Sequence, residues 1–86
     1  MTIRYSTHVI ERMREREITD EEISETLTHP LELREMRYGR QGALGSRAAD
    51  SFLVVIFEKN DEDLIVVTAL KVNRNRVKRY GFARIR

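Results

Sequence analysis

A chain of 86 residues, 41% of them hydrophobic, has the length of one domain and is too apolar to remain disordered. The absence of cysteine excludes disulfides and thiolate zinc sites, and no apolar run approaches the roughly 20 residues of a membrane helix, so we expect a single cytoplasmic domain over 1–86. The net charge of +2 is uneven, because residues 71–86 carry seven basic and no acidic side chains while the rest carries nine basic and fourteen acidic ones.

This basic C-terminal segment, residues 71–86, bears on the kind of partner that the protein binds. Cations clustered at one end of a chain are typical of a surface that binds a polyanion such as nucleic acid. Alternatively, the segment is a solvated end that pairs with acidic helices of the same molecule.

Two helices are predicted in the N-terminal third. The first covers about 7–16, and Ser6 or Thr7 is its N-cap, since a hydroxyl oxygen there accepts a bond from an otherwise unpaired amide. The second begins at the capping box Thr19–Glu22, a threonine followed three residues later by a glutamate. Pro30 ends the second helix, because proline disfavours helical backbone at the residue before it.

A stripe of one imidazole and two guanidiniums lies along the first predicted helix. His8, Arg12 and Arg16 recur at every fourth residue and fan over roughly 80° of its surface. The apolar face beside them consists of Val9, Ile10 and Met13. The spacing suits a phosphate site at the edge of the core. It also suits a structural interpretation, in which His8 bonds to backbone and the arginines pair with Glu15 and with acids of the second helix.

The residues after Pro30 change to strand patterns. After a lead-in strand at 3–5, a second strand is predicted at 31–38, where a change in the parity of the apolar positions indicates a bulge or bend. The glycine-containing segment 39–46 is predicted to be a loop.

Two apolar, β-branched runs at 52–57 and 64–70 are predicted to form a hairpin of central strands. In the last segment, alternation of Tyr80, Phe82 and Arg84 favours an edge strand, whereas 73–77 could open a short helix. The element order predicts an α+β domain, with two N-terminal helices packed on a small, mainly antiparallel three- to four-stranded sheet.

Metal-free chemistry on a phosphodiester is what the residue inventory leaves, since no metal-ligand cluster, glycine-rich phosphate loop or nucleophilic cysteine is evident. Cleaving RNA this way needs a base, an acid and cations that stabilise the developing charge. Histidine suits either proton role, and arginine binds phosphate oxygens in bidentate fashion.

Polar side chains of the predicted sheet could complete such a site. Thr68 interrupts an apolar strand, and it, Lys71 or Tyr80 could add a hydroxyl or a cation. The structural alternatives are that Thr68 is simply a good strand residue, and that Tyr38 and Tyr80 pack half-buried at a sheet edge. His29 is expected to be a helix-end residue.

One motif carries a resemblance to a known family. It reads Ser6-x-His8-x-x-x-Arg12-Met13-x-x-Arg16-x-Ile18-x-x-x-x-Ile23, and Leu64-Ile65-Val66-Val67-Thr68 looks like the family's final core strand. The chain thereby resembles small prokaryotic domains related to RelE/ParE-like toxins, within the barnase–EndoU–colicin–RelE fold of metal-independent RNases. That family usually has glycine where this chain has Glu17.

The resemblance implies a function and a site. It implies an active site built from His8, Arg12, Arg16 and Thr68, RNA as the substrate, and an antitoxin protein as a partner. We therefore predict a toxin-like, metal-independent endoribonuclease without a cofactor, in which His8 is the general acid or base and both arginines hold phosphate. The alternative is a module without catalysis that binds nucleic acid or an antitoxin. Its predicted nucleic-acid contacts are Lys71, Arg74, Arg76, Lys78, Arg79 and Tyr80.

Overall fold

Helices and strands occupy most of residues 2–83, the part of the chain that the computed structural model describes. In chain order they are β1 (Thr2–Tyr5), α1 (Thr7–Glu15), α2 (Asp20–Thr28), β2 (Glu32–Glu35), β3 (Gln41–Ala48), β4 (Ser51–Asn60), β5 (Asp63–Asn73) and α3 (Arg74–Val77). Two 3₁₀ turns, Arg37–Gly39 and Lys78–Tyr80, follow β2 and α3. None of the helices in residues 2–83 combines the length and apolar composition needed to cross a bilayer.

Both N-terminal helices begin as their local sequences predict. The Ser6 hydroxyl accepts a 3.1 Å bond from the Val9 amide at the start of α1. At the start of α2, Thr19 and Glu22 exchange side chain–backbone bonds in a complete capping box. Between the helices Glu17 takes the left-handed conformation, with φ of 56°, so the turn forms even without glycine at this position.

The sheet has five strands within residues 2–83, in the order β1-β5-β4-β3-β2. The predicted hairpin is confirmed as the antiparallel pair β4–β5, and the sheet is mainly antiparallel, although β1 joins β5 in parallel. The expected count of three to four strands is wrong, and so is the expected loop at 39–46, most of which lies in β3.

Close packing explains the glycines that suggested a loop. Gly42 and Gly45 lie in β3 with ordinary strand backbone. A Cβ at Gly45 would collide with the Thr26 side chain of α2, and a Cβ at Gly42 would collide with Met36 and lie 3.3 Å from Phe82. These glycines therefore let other parts of the chain approach the strand closely, as glycine in a strand interior often does.

The two faces of the sheet are covered by different ends of the chain. The helix-covered face packs against α1 and α2, and the opposite face packs against the C-terminal segment. Buried residues of the first face include Val9, Met13, Ile23, Leu53 and Ala69. Those of the second include Leu44, Val54, Val72, Val77 and Phe82.

The C-terminal segment follows the helical alternative over its described part. The Asn73 side chain caps α3 by accepting a 2.9 Å bond from the Arg76 amide, and a 3₁₀ turn continues the chain. The edge strand suggested by Tyr80 and Phe82 is wrong, because Phe82 is instead buried against the sheet. Arg84 lies outside the described residues.

Candidate nucleic-acid interface

The three residues of the predicted stripe lie along α1 with different surroundings. His8 is exposed in the first turn, and its imidazole makes no hydrogen bond or ion pair within residues 2–83. Arg12 pairs with Glu15 at 3.2 Å, as the structural alternative predicted, but both side chains are about half exposed and the pair contributes little. Arg16 donates a 2.9 Å bond to the backbone carbonyl of Ala69, which ties the end of α1 to β5.

Thr68 lies on the other side of the sheet from this stripe. It is directly opposite Ile56, which packs in the second core, whereas its neighbour Ala69 packs in the first core beneath the helices. Cross-strand partners share a face of the sheet, and successive residues alternate. The structure therefore does not bring Thr68 together with His8 and Arg12, and the four-residue site implied by the resemblance is not assembled.

The predicted nucleic-acid contacts are also distributed over several surfaces. Lys71 is opposite Leu53 and so lies on the helix-covered face. Arg74 bonds to Asp50 at 2.8 Å, and its guanidinium lies 5.6 Å from the centre of the Phe52 ring. Arg76 and Lys78 are exposed, and Arg79 and Tyr80 line a groove. Pairing with acids of the same molecule is thus confirmed for Arg74, although its partner lies in a turn and not in a helix.

The arginine groove, as we name it, has a volume of about 600 Å³ and runs between the β2–β3 connection and the second 3₁₀ turn. Its charged and aromatic lining consists of Arg34, Arg37, Arg40, Arg79, Tyr38, Tyr80 and one carboxylate, Glu35. Ile56 places it on the face of the sheet opposite α1, which is also the face of Thr68. Four arginines lining one groove beside a single carboxylate create a positive potential that attracts an anion.

The guanidiniums of the groove differ in the ion pairs and hydrogen bonds that they make within the protein. Arg40 pairs with Glu58 at 3.0 Å, which neutralises it in part. Arg34 donates a 3.3 Å bond to the carbonyl of Gly81 and packs over that glycine, where a Cβ would overlap the guanidinium. Arg37 and Arg79 are exposed, and neither makes an ion pair in the described part of the chain. These two cations are therefore available to a ligand at once.

Two contacts hold the walls of the groove against each other. The first is the bond from Arg34 to Gly81, which joins β2 to the C-terminal wall. The second is the Ala83 amide, which donates to the Glu32 carboxylate at 3.0 Å. Phe82 lies between Gly81 and Ala83 in the sequence and is buried, so the wall carrying Arg79 is anchored to the rest of the fold at three consecutive residues.

Tyr38 stands at the rim of the groove in a strained conformation. Its φ and ψ are 63° and 33°, and the residue is 86% exposed. The loop is closed by the Met36 amide, which donates a 2.8 Å bond to the carbonyl of Arg40. A left-handed non-glycine residue costs about 1–2 kcal/mol. The prediction that Tyr38 packs half-buried at an edge is wrong, whereas Tyr80 is half-buried as predicted.

The sequence held a signal for this groove that the strand assignment obscured. Arg34, Arg37 and Arg40 recur at every third residue within the otherwise acidic body of the chain. If 31–38 is a single strand, Arg34 and Arg37 point to opposite faces and the cluster is lost. In the structure β2 ends at Glu35, and the following turn brings Arg37 and Arg40 to the same groove as Arg34.

A second groove, of about 430 Å³ between α2 and β3, has the opposite charge. Glu21, Glu22 and Glu25 line it, and Arg47 bonds to Glu22. The hydrogen bond from Arg47 holds the pKa of the Glu22 carboxyl below its ordinary value. A polyanion would be repelled here. Within the described residues, no group of three or more acidic or histidine side chains is placed to hold a metal ion.

Comparison with known proteins gives one match. The family described as Domain of unknown function (DUF4258) matches residues 5–79, a span that includes α1 and most of the arginine groove. No curated protein and no solved structure matches the chain. The match names no activity, and the resemblance to RelE/ParE-like toxins stays a prediction.

Proposed function

This chain belongs to the DUF4258 family of domains of unknown function, and we propose that it binds RNA in the arginine groove. The observation that carries the proposal is the convergence of four arginines on the lining of one groove, three of them without an acidic partner in the described residues. Arginine presents a planar fork of donors that matches two phosphate oxygens at once. A backbone of repeated phosphates is the ligand that uses several such forks together.

The placement of the arginines on two walls that contact each other supports binding to an extended strand. Arg34 and Arg37 come from the β2 side, and Arg79 comes from the opposite wall. The bond between Arg34 and Gly81 joins the two walls when no ligand is present. A ligand therefore binds without first ordering these walls, which reduces the entropy lost on binding.

A salt titration tests this proposal. We use a single-stranded 2′-O-methyl RNA, which lacks the attacking hydroxyl and stays intact, and measure its affinity by fluorescence anisotropy. Three or four contacted phosphates predict that log K falls with log salt at a slope of about −2 to −3. Arg37→Gln should reduce the magnitude of that slope by about 0.7, because one phosphate contact is lost. Arg14→Gln, on the exposed surface of α1, should leave the slope unchanged. No binding at low salt, or equal effects of both variants on the slope, would show that RNA does not bind in the groove.

A second candidate, metal-independent RNA cleavage, is favoured by the exposure of His8. Its imidazole is accessible in the first turn of α1, and Arg12 follows one turn later along the same helix. Such an imidazole could accept the proton of a 2′-hydroxyl while the guanidinium binds the phosphate. Because Thr68 faces the other way, this candidate depends on the α1 stripe alone.

His29 offers a matched control for that candidate, since it is exposed at the end of α2 and distant in the sequence from the stripe. With EDTA present, His8→Ala is expected to slow RNA cleavage by at least about 100-fold, the usual worth of a general acid or base. His29→Ala should cleave as the wild type does. Equal cleavage by both variants would show that His8 takes no part.

A further inference from the structure

Tyr38 has the most exposed aromatic side chain of the described residues, and it performs no visible task in the fold. It makes no hydrogen bond, ion pair or ring contact within residues 2–83. Its backbone is nevertheless held in the left-handed region, which a bulky residue rarely adopts. A strained backbone at a residue whose side chain packs against nothing is characteristic of a residue that contacts a ligand.

The surroundings of Tyr38 indicate what that ligand is. The ring lies at the rim of a groove lined by Arg37 and Arg79, and a second ring, Tyr80, lies on the same lining. Cations for phosphates combined with aromatic rings for bases are the two components of sites that bind single-stranded nucleic acid. At about 600 Å³ the volume of the groove lies within the range of sites that bind small organic ligands.

We propose that the arginine groove selects single-stranded RNA, with an unpaired base stacked on the ring of Tyr38. This inference rests on the proposed RNA binding and adds the class of RNA to it. In a duplex both faces of a base are covered by its neighbours, so the ring finds no free face. The arginines bind phosphates of either form, and Tyr38 supplies the preference for unpaired bases.

Glycine at position 38 separates the contribution of the ring to RNA binding from the strain of the left-handed backbone. Tyr38→Gly removes the ring and also relieves the left-handed strain, so the variant should melt at a higher temperature than the wild type. It should bind single-stranded RNA about 5- to 100-fold more weakly, the usual worth of one stacked base. Binding to a duplex of equal charge should change less than about 2-fold. Tyr38→Phe, which keeps the ring, should bind single strands as the wild type does.

A fluorescent variant gives a direct measurement that does not depend on the glycine variant. The chain has no tryptophan, so Tyr38→Trp introduces a single emitting indole at the rim. Single-stranded RNA should quench this emission, and duplex RNA should leave it unchanged.

The outcomes separate this inference from the one on which it rests. If Tyr38→Gly binds single strands as tightly as the wild type, and the indole is not quenched, stacking is overturned while RNA binding in the groove stands. If the wild type binds neither form of RNA, both proposals fail. If Tyr38→Gly weakens duplex and single strands equally, the loop positions the arginines and does not select single strands, which also overturns the inference.

Discussion

Replacing Arg37 and Arg79 together by glutamate is expected to lower RNA affinity by roughly 1,000-fold. Each arginine is exposed and unpaired within the described residues, so each is free to form charge-assisted bonds with phosphate. Such a bond contributes about 1.5–3 kcal/mol, and the loss of two is close to three factors of ten. Because both side chains are on the surface, the free energy of unfolding should change by less than about 0.5 kcal/mol. Anisotropy titrations measure the RNA affinity, and urea denaturation measures the free energy of unfolding.

A control with the same change in net charge distinguishes the groove from the overall charge of the protein. Arg14 and Arg76 are exposed outside the lining of the groove. Converting both to glutamate removes the same four units of charge, and we expect less than a 10-fold loss, from long-range attraction alone. A loss equal to that of the groove variant would attribute RNA binding to net charge and contradict a localised site.

The second large effect concerns the contact of α2 with the sheet at Gly45. Gly45→Ala is expected to destabilise the domain by about 2–3 kcal/mol, because the new methyl group meets Thr26. Thr26 cannot easily move away, since it is 5% exposed and its hydroxyl donates a 2.8 Å bond to the carbonyl of Glu22. For a domain whose total stability is about 5–15 kcal/mol, this is a large fraction. Urea denaturation measures the change.

Two further variants make the Gly45 prediction specific. Adding Thr26→Ala should restore at least half of the lost stability, because it removes the Oγ1 and Cγ2 atoms that the methyl group meets. Gly42→Ala should cost less than Gly45→Ala, since its nearest obstacle is the flexible end of Met36. If all three variants were as stable as the wild type, the segment would behave as the loop that its glycines first suggested.

The parts of the fold that depend on neighbouring residues could be predicted from the sequence. The Ser6 cap, the Thr19–Glu22 capping box and the β4–β5 hairpin are all set by short-range patterns, and the structure confirms them. The strand β3 could not be predicted in this way, because Gly42 and Gly45 are explained only by the side chains of Thr26, Met36 and Phe82 that pack on them.

The candidate site was harder to predict because distant segments build it. The arginine groove joins β2 and its turn to Arg79 and Tyr80, which lie about forty residues later. No spacing rule connects those two segments. The face of the sheet on which Thr68 lies could not be predicted for a different reason. The register of β4 and β5 shifts between Val66 and Thr68, leaving Val67 without a partner, and one extra residue turns every later side chain to the other face.

NMR distinguishes RNA that lies in the arginine groove from RNA that lies along α1. Backbone amide shifts are followed while single-stranded 2′-O-methyl RNA is added to the 15N-labelled protein. We predict that the largest perturbations fall on residues 34–40 and 79–81, with α1 nearly unchanged. Perturbations confined to residues 7–16, on the opposite face of the sheet, would contradict it.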